Sequence, residues 1–203
     1  MRVNKYIALF FFAITTCLFA MNVNAATNDP VSLLQSVANS MIAGLKENQA
    51  TLKTKPSVVY KLAYEFVVPN ADLDEMSKRV LPPQIWNNAT SEQRREFKKQ
   101  FTTTLIRTYA SALTAYKNQK IKIYPVRGGY GKIVNVNSDI VNPESGAVHV
   151  TYQLIQSAEG WRLLDMNVEG IGMLDSFRSQ FSDILSQSNM QQLLNRLSAH
   201  NRG

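Results

Sequence analysis

His149 and His200 are the two histidines of the chain, and Asp139, Asp165 and Glu169 are acids that stand inside patterned segments. Carboxylates and imidazoles are the groups from which acid–base catalysis and zinc sites are built. Neither histidine has a second ligand at metal-binding spacing. Asp139 and Asp165 alternate with apolar neighbours, so each points to the strand side opposite the apolar one, away from any apolar pocket that would need a base. No serine sits in Gly-x-Ser-x-Gly. Cys17 is the only cysteine. Gly128-Gly129-x-Gly131 has no following helix to supply a phosphate-binding dipole, and reads as a hairpin turn. Gly170-x-Gly172 does lie between a strand and a helix. It lacks the third glycine and the parallel strand of a dinucleotide site, and reads as a corner. Thr90 of Asn88-Ala89-Thr90 reads as a helix cap rather than as part of a glycosylation site. The inventory argues against an enzyme, a cofactor and a metal.

The N-terminus reads as a secretory leader. Arg2 and Lys5 form a basic start, Tyr6 to Ala20 is mostly apolar, and Val23-Asn24-Ala25 places small residues where a signal peptidase reads. Cleavage is expected after Ala25, leaving 26–203 as one domain without cysteine. A retained membrane anchor is the rival reading. An exported domain without disulfides is held together by core packing alone. The formal charge of +7 drops on loss of Arg2 and Lys5. No basic block is dense enough for nucleic acid, and none is expected as a partner.

The remaining pattern is apolar. Asp29-Pro30 starts a helix carrying Leu34, Met41 and Leu45. A second helix spans Pro56 to Val67. Asp72-x-x-Glu75 opens a short one that Leu81-Pro82-Pro83 stops. Thr90-x-x-Gln93 is a capping box for the longest helix, to about Tyr116, with Phe97, Phe101, Leu105, Tyr109 and Leu113 at intervals of four. The period then becomes two. Ile121 and Ile123, then Val134, Val136 and Ile140, then Val148, Val150, Tyr152 and Leu154, then Leu164, Met166 and Val168 mark four strands joined by short turns. Short turns imply antiparallel neighbours. Helices with Leu174, Phe177 and Phe181, and with Leu193, Leu194 and Leu197 behind a Ser188-x-x-Gln191 cap, close the chain. This is an α+β pattern: an antiparallel sheet of four strands or slightly more, with one apolar and one polar face, packed by about five to seven helices.

The closing segment is similar to a known family. Gly160-Trp161-Arg162-Leu163-Leu164-Asp165, Val168-Glu169-Gly170-Ile171, Met173-Leu174 and Phe177-Arg178-Ser179-Gln180-Phe181 together resemble MlaC, the toluene-tolerance family of periplasmic phospholipid-binding proteins in the Mla lipid-asymmetry pathway. Trp86, Glu92-Gln93, Phe97, Phe101, Leu105, Tyr109-Ala110, Leu113 and Tyr116 resemble it too. The chain departs from the family at Gly172, where Ser is common, and at Leu81-Pro82-Pro83, where a glycine turn is common. The resemblance implies a cone related to nuclear-transport-factor-like folds, with an apolar cavity that sheathes phospholipid tails. It implies two partners: an outer-membrane lipoprotein–porin complex and an inner-membrane ABC-type lipid transporter driven by ATP hydrolysis.

Physics agrees with a carrier. At ~0.8 kcal/mol per methylene, an acyl tail of about sixteen carbons costs on the order of 12 kcal/mol to expose to water. A dry pocket removes most of that cost without covalent chemistry. The expected function is a monomeric periplasmic shuttle of a Gram-negative bacterium, with phospholipid as cargo and no cofactor. Apolar parity and helix stripes nominate the pocket residues Trp86, Phe97, Phe101, Leu105, Tyr109, Val134, Val136, Val150, Tyr152, Leu154, Leu164, Met166, Val168, Ile171, Met173 and Phe177. Two other readings stay open: an enzyme on the same cone acting on an apolar small molecule, and a non-catalytic scaffold that binds envelope proteins.

Overall fold

The computed structural model describes residues 29–142 and 146–202. The leader and its cleavage point lie outside the described residues. Helix α1 (Pro30–Glu47) starts as its sequence dictates: the Asp29 carboxylate accepts the Ser32 amide at 2.8 Å, and Pro30 fills the first turn, where its missing N–H costs nothing. Helix α2 (Ser57–Leu62) runs on through a π-helical turn, Ala63–Val67, and a 3-10 turn, Val68–Asn70. Asp72 caps α3 (Leu73–Val80) by accepting the Glu75 amide at 2.9 Å. The reciprocal half of the box is absent, because the Glu75 carboxylate binds Arg79 instead.

Pro82-Pro83 does more than stop α3. It also starts α4 (Pro83–Asn88), a helix that sequence reading passes over. The second proline occupies the first turn, where a helix tolerates it. Helix α5 (Ser91–Thr114) carries the full capping box: Thr90 Oγ1 accepts the Gln93 amide and Gln93 Oε1 accepts the Thr90 amide.

Strands β1 (Lys120–Ile123), β2 (Ile133–Asn142), β3 (Gly146–Ser157), β4 (Gly160–Val168) and β5 (Ile171–Gly172) form one antiparallel sheet in sequence order. The expected corner at Gly170 is a hairpin. Glu169 (φ 51°) and Gly170 (φ 87°) turn the chain back so that Val168 pairs with Ile171 before α6 (Met173–Leu185) begins. Positive φ at both central residues is the geometry that matches strand twist in a two-residue turn. Helix α7 (Met190–Arg202) closes the chain. Its first amides are served by Asn189, whose side chain accepts Gln192 N at 3.0 Å, rather than by Ser188, whose hydroxyl donates back to Ile184 O.

The largest core joins α3, α5, α6 and α7. Phe97 and Phe101 stack with centroids 5.5 Å apart, and Phe177 and Phe181 meet them edge-on. Offset and edge contacts are the favoured geometries of aromatic rings. A second core packs Met41 and Leu45 of α1 on Leu62 of α2 and on Ala110 and Tyr116 at the end of α5. A third sets Leu34 of α1 on Val134, Val136, Leu154 and Trp161 of the sheet.

Candidate functional site

The site begins with register. Val136 pairs with Tyr152 and Ser138 with Val150; across the next ladder Val150 pairs with Val168 and Tyr152 with Met166. Paired residues share a face, so these six side chains form one contiguous patch. The ladder then slips. Gln153 pairs with Asp165 but Leu154 pairs with Leu163, which leaves Leu164 as an extra, bulged residue. The bulge exchanges the faces of the strand. Leu163 and Trp161 join Leu154 and α1, whereas Leu164 turns to the other side and packs with Ile155 among the α5–α6 aromatics.

Two expectations are corrected by this slip. Leu164 does not share a face with Met166 and Val168, and the opposite face is not uniformly polar. Along β2 and β3 that face is polar, with Thr151 Oγ1 donating to Asn137 Oδ1 at 2.8 Å and His149 Nδ1 3.0 Å from Asp139 Oδ1. Towards Ile155 and Leu164 it becomes part of the aromatic core.

The nominated residues therefore fall into separate groups. Phe97, Phe101, Leu105, Leu164, Met173 and Phe177 are buried in the aromatic core, with Trp86 and Tyr109 packed at its margin. Val134, Val136 and Leu154 lie under α1, with Tyr152 beside them. Val150 is fully buried, and Met166 and Val168 are half-buried on the same sheet face. Ile171, at 69% exposure, stands on the tip of the last hairpin.

Sequence parity missed Ser138, the polar member of this face. Its hydroxyl is wholly buried with no hydrogen-bond partner of normal geometry, and the Tyr152 hydroxyl is the polar group beside it. Burial pushes the Tyr152 phenol above its ordinary value, so it stays protonated. The face is otherwise apolar. Such a surface offers few groups that could attack or polarise a substrate.

Asp165 lies opposite Met166, as alternation requires, but it meets helices rather than solvent. Its Oδ1 accepts the Met166 amide at 2.7 Å and the Leu174 amide at 3.0 Å. Gly172 precedes α6 and has no side chain to cap it, and Asp165 supplies the missing acceptor from the neighbouring strand. Burial raises the Asp165 carboxyl, and the two amides oppose that rise. Tyr109 is raised by burial and by the nearby Asp165 charge. One of its two carboxyl oxygens, Oδ1, is thus committed to backbone amides.

Two further groups lie outside the sheet-facing patch. Tyr124 donates to Asp139 Oδ2 at 2.6 Å, and this bond, followed by the His149 contact, holds the Asp139 carboxyl below its ordinary value. Among the described residues no group of three His, Cys, Asp or Glu side chains is placed to hold a metal ion. A cavity of about 590 Å³ between α3, α4 and α6 is lined by Lys78, Arg79, Pro82, Trp86 and Arg178. One of about 420 Å³ lies between the start of α3 and the β3–β4 turn, with Asp72, Lys98 and Arg162 on its walls. Of the nominated residues, Trp86 alone lines either cavity.

The fold and sequence have known relatives. The protein "Toluene tolerance protein ttg2D" of Pseudomonas putida is 27% identical over 163 residues, covering 80% of this chain and 76% of its own. The "Intermembrane phospholipid transport system binding protein MlaC" of Haemophilus influenzae is 24% identical over 200 residues, covering 97% of this chain and 92% of its own. A crystal structure of the phospholipid-binding protein from Ralstonia solanacearum, in complex with a phospholipid, superposes with a TM-score of 0.79 at 26% identity, covering 86% of this chain and 97% of that one. The family model of the MlaC protein matches residues 35–199, and the chain is therefore a member of the MlaC family.

Proposed function

We propose that the protein is a periplasmic phospholipid carrier that moves lipid between the outer and inner membranes, holding acyl chains against the sheet face of Val150, Tyr152, Met166 and Val168. The observation that carries this reading is that face itself: a contiguous, register-matched patch on which Ser138 and Tyr152 bear the only polar side-chain atoms among the six paired residues. Similarity to a transport-system binding protein and to a structure holding a phospholipid supports it. Carriage needs no bond to be made or broken. The driving force is the burial of methylenes, about 0.8 kcal/mol each. The six nominated residues of the aromatic core pack on the other side of the sheet, among α5 and α6, and are not part of this face. The proposed partners are an outer-membrane lipoprotein–porin complex and an inner-membrane ABC-type transporter, served by a monomer of residues 26–203 after removal of the leader.

Lipid extraction from the purified protein, read by mass spectrometry, tests the reading. Stoichiometric phospholipid is the expected result. A protein that emerges empty and remains empty after incubation with phospholipid vesicles would overturn it, and would favour a protein-binding scaffold.

A further inference from the structure

The cavity between α3, α4 and α6 is unlike the apolar sheet face. Its lining side chains include three cations, Lys78, Arg79 and Arg178, and no carboxylate. Its volume of about 590 Å³ falls within the roughly 300–1,000 Å³ typical of small-ligand sites. Pro82, Pro83 and Trp86 form its apolar wall, and Asn87 and Ser182 add neutral hydrogen-bonding groups.

The cations are fixed by their own partners and keep donors to spare. Arg79 Nε binds Glu75 Oε1 at 2.8 Å, which leaves both terminal nitrogens unbonded among the described residues. Arg178 Nε donates to the Arg79 carbonyl at 2.9 Å and Nη1 to Asp175 at 2.8 Å, which leaves Nη2. Lys78 is exposed and makes no hydrogen bond or ion pair among the described residues. The indole wall is fixed as well. Arg94 stacks 5.0 Å from the Trp86 ring centroid and donates to the Trp86 and Asn87 carbonyls. A preorganised guanidinium pair with free N–H groups suits the tetrahedral oxygens of a phosphate, and an ammonium adds a point charge.

We propose that this cavity binds a phosphate-bearing anion, with the apolar wall taking the organic part of a phosphodiester. It is a site separate from the sheet face and does not depend on the cargo reading. Two sources share the chemistry: the headgroup of an anionic lipid, and soluble phosphate.

Two measurements on the full mature chain separate them. The first is co-sedimentation with vesicles of phosphatidylcholine alone and of phosphatidylcholine mixed with phosphatidylglycerol. The second is the fluorescence of Trp86 in a Trp161→Phe background on addition of inorganic phosphate. Lys78→Glu removes the cation that the fold does not use. Lys120→Glu, on the distant edge strand, makes the same charge change as a control. Binding to phosphatidylglycerol vesicles that falls roughly fivefold or more in Lys78→Glu, and holds in Lys120→Glu, supports the lipid headgroup. A Trp86 response to inorganic phosphate, lost in Lys78→Glu, supports the soluble source. Equal weakening by both substitutions means diffuse charge and overturns the proposal, as does the absence of any response to either probe. Phospholipid co-purifying with the protein is expected to be unchanged in Lys78→Glu, so failure here is distinguishable from failure of the carrier reading.

Discussion

Oδ1 of Asp165 lies 3.0 Å from the amide nitrogen of Leu174, so a carboxylate in the fourth strand caps the helix that follows it. Nine residues separate the two groups, and the Glu169-Gly170 hairpin brings them together. The helix start at Gly172, which has no side chain to cap it, is thereby served from the sheet.

Asp165→Ala removes this acceptor and is expected to cost about 0.5–2 kcal/mol, the range measured for lost helix caps. Asp165→Asn keeps an acceptor oxygen and is expected to recover most of it. Urea unfolding followed by circular dichroism reads both; equal losses in the two variants would argue that charge, not the cap, is what matters.

The same residue sets a pH dependence. Burial raises the Asp165 carboxyl above its ordinary 3.8. Between that value and the raised one the folded state holds a proton that the unfolded chain has released, so stability falls as pH rises through the window. Asp29, held low mainly by the Ser32 hydroxyl, and Asp139, held low mainly by Tyr124, act in the opposite sense: they add stability above 3.8 that is lost as pH falls through their lowered values. Thermal unfolding across the acidic range is expected to differ between wild type and Asp165→Asn only above 3.8. A difference confined below it would contradict the assignment.

The bulge makes Leu164 a core residue and leaves Met166 half-buried on the sheet face. Leu164→Ala opens a hole beside Phe97 and Phe101 and is expected to cost about 2–5 kcal/mol. Met166→Ala, from a half-buried site, is expected to cost about half as much or less. Denaturant midpoints of the two variants check this, and similar losses would return Leu164 to the face of Met166.

For the carrier reading, Met166→Glu places a charge on the sheet face while leaving the aromatic core intact. The expected outcome is a folded protein with no co-purifying phospholipid, scored by mass spectrometry beside near-ultraviolet circular dichroism. Full lipid loading would move the acyl chains elsewhere.

Much of the architecture was legible because its signals are local. Asp29-Pro30 and Thr90-x-x-Gln93 name the starts of α1 and α5 within one turn, and alternating parity names the long strands. The missed features are those decided by tertiary contact. Nothing in Leu163-Leu164-Asp165 says which leucine bulges; β3 and the two flanking cores decide it. Pro83 is equally good as a stop and as a first-turn residue, and α4 settles the choice. The nominated set mixed core with sheet face because Phe101 and Tyr152 carry the same apolar signal, whereas burial in a close-packed ring cluster separates them.

The paired aromatics also fix an order of assembly. Every sheet ladder joins neighbours in the chain, so the meander closes through short loops. Phe97 and Phe101 instead wait for Phe177 and Phe181, and Gln100 waits for Asn201, whose side-chain amide donates to its backbone and side-chain oxygens at 2.9 and 2.8 Å. Contacts of such separation form late and slow folding. A chain that emerges from its N-terminus thus has its whole sheet available while α5 still exposes unpaired phenylalanines, and only the arrival of α6 and α7 covers them.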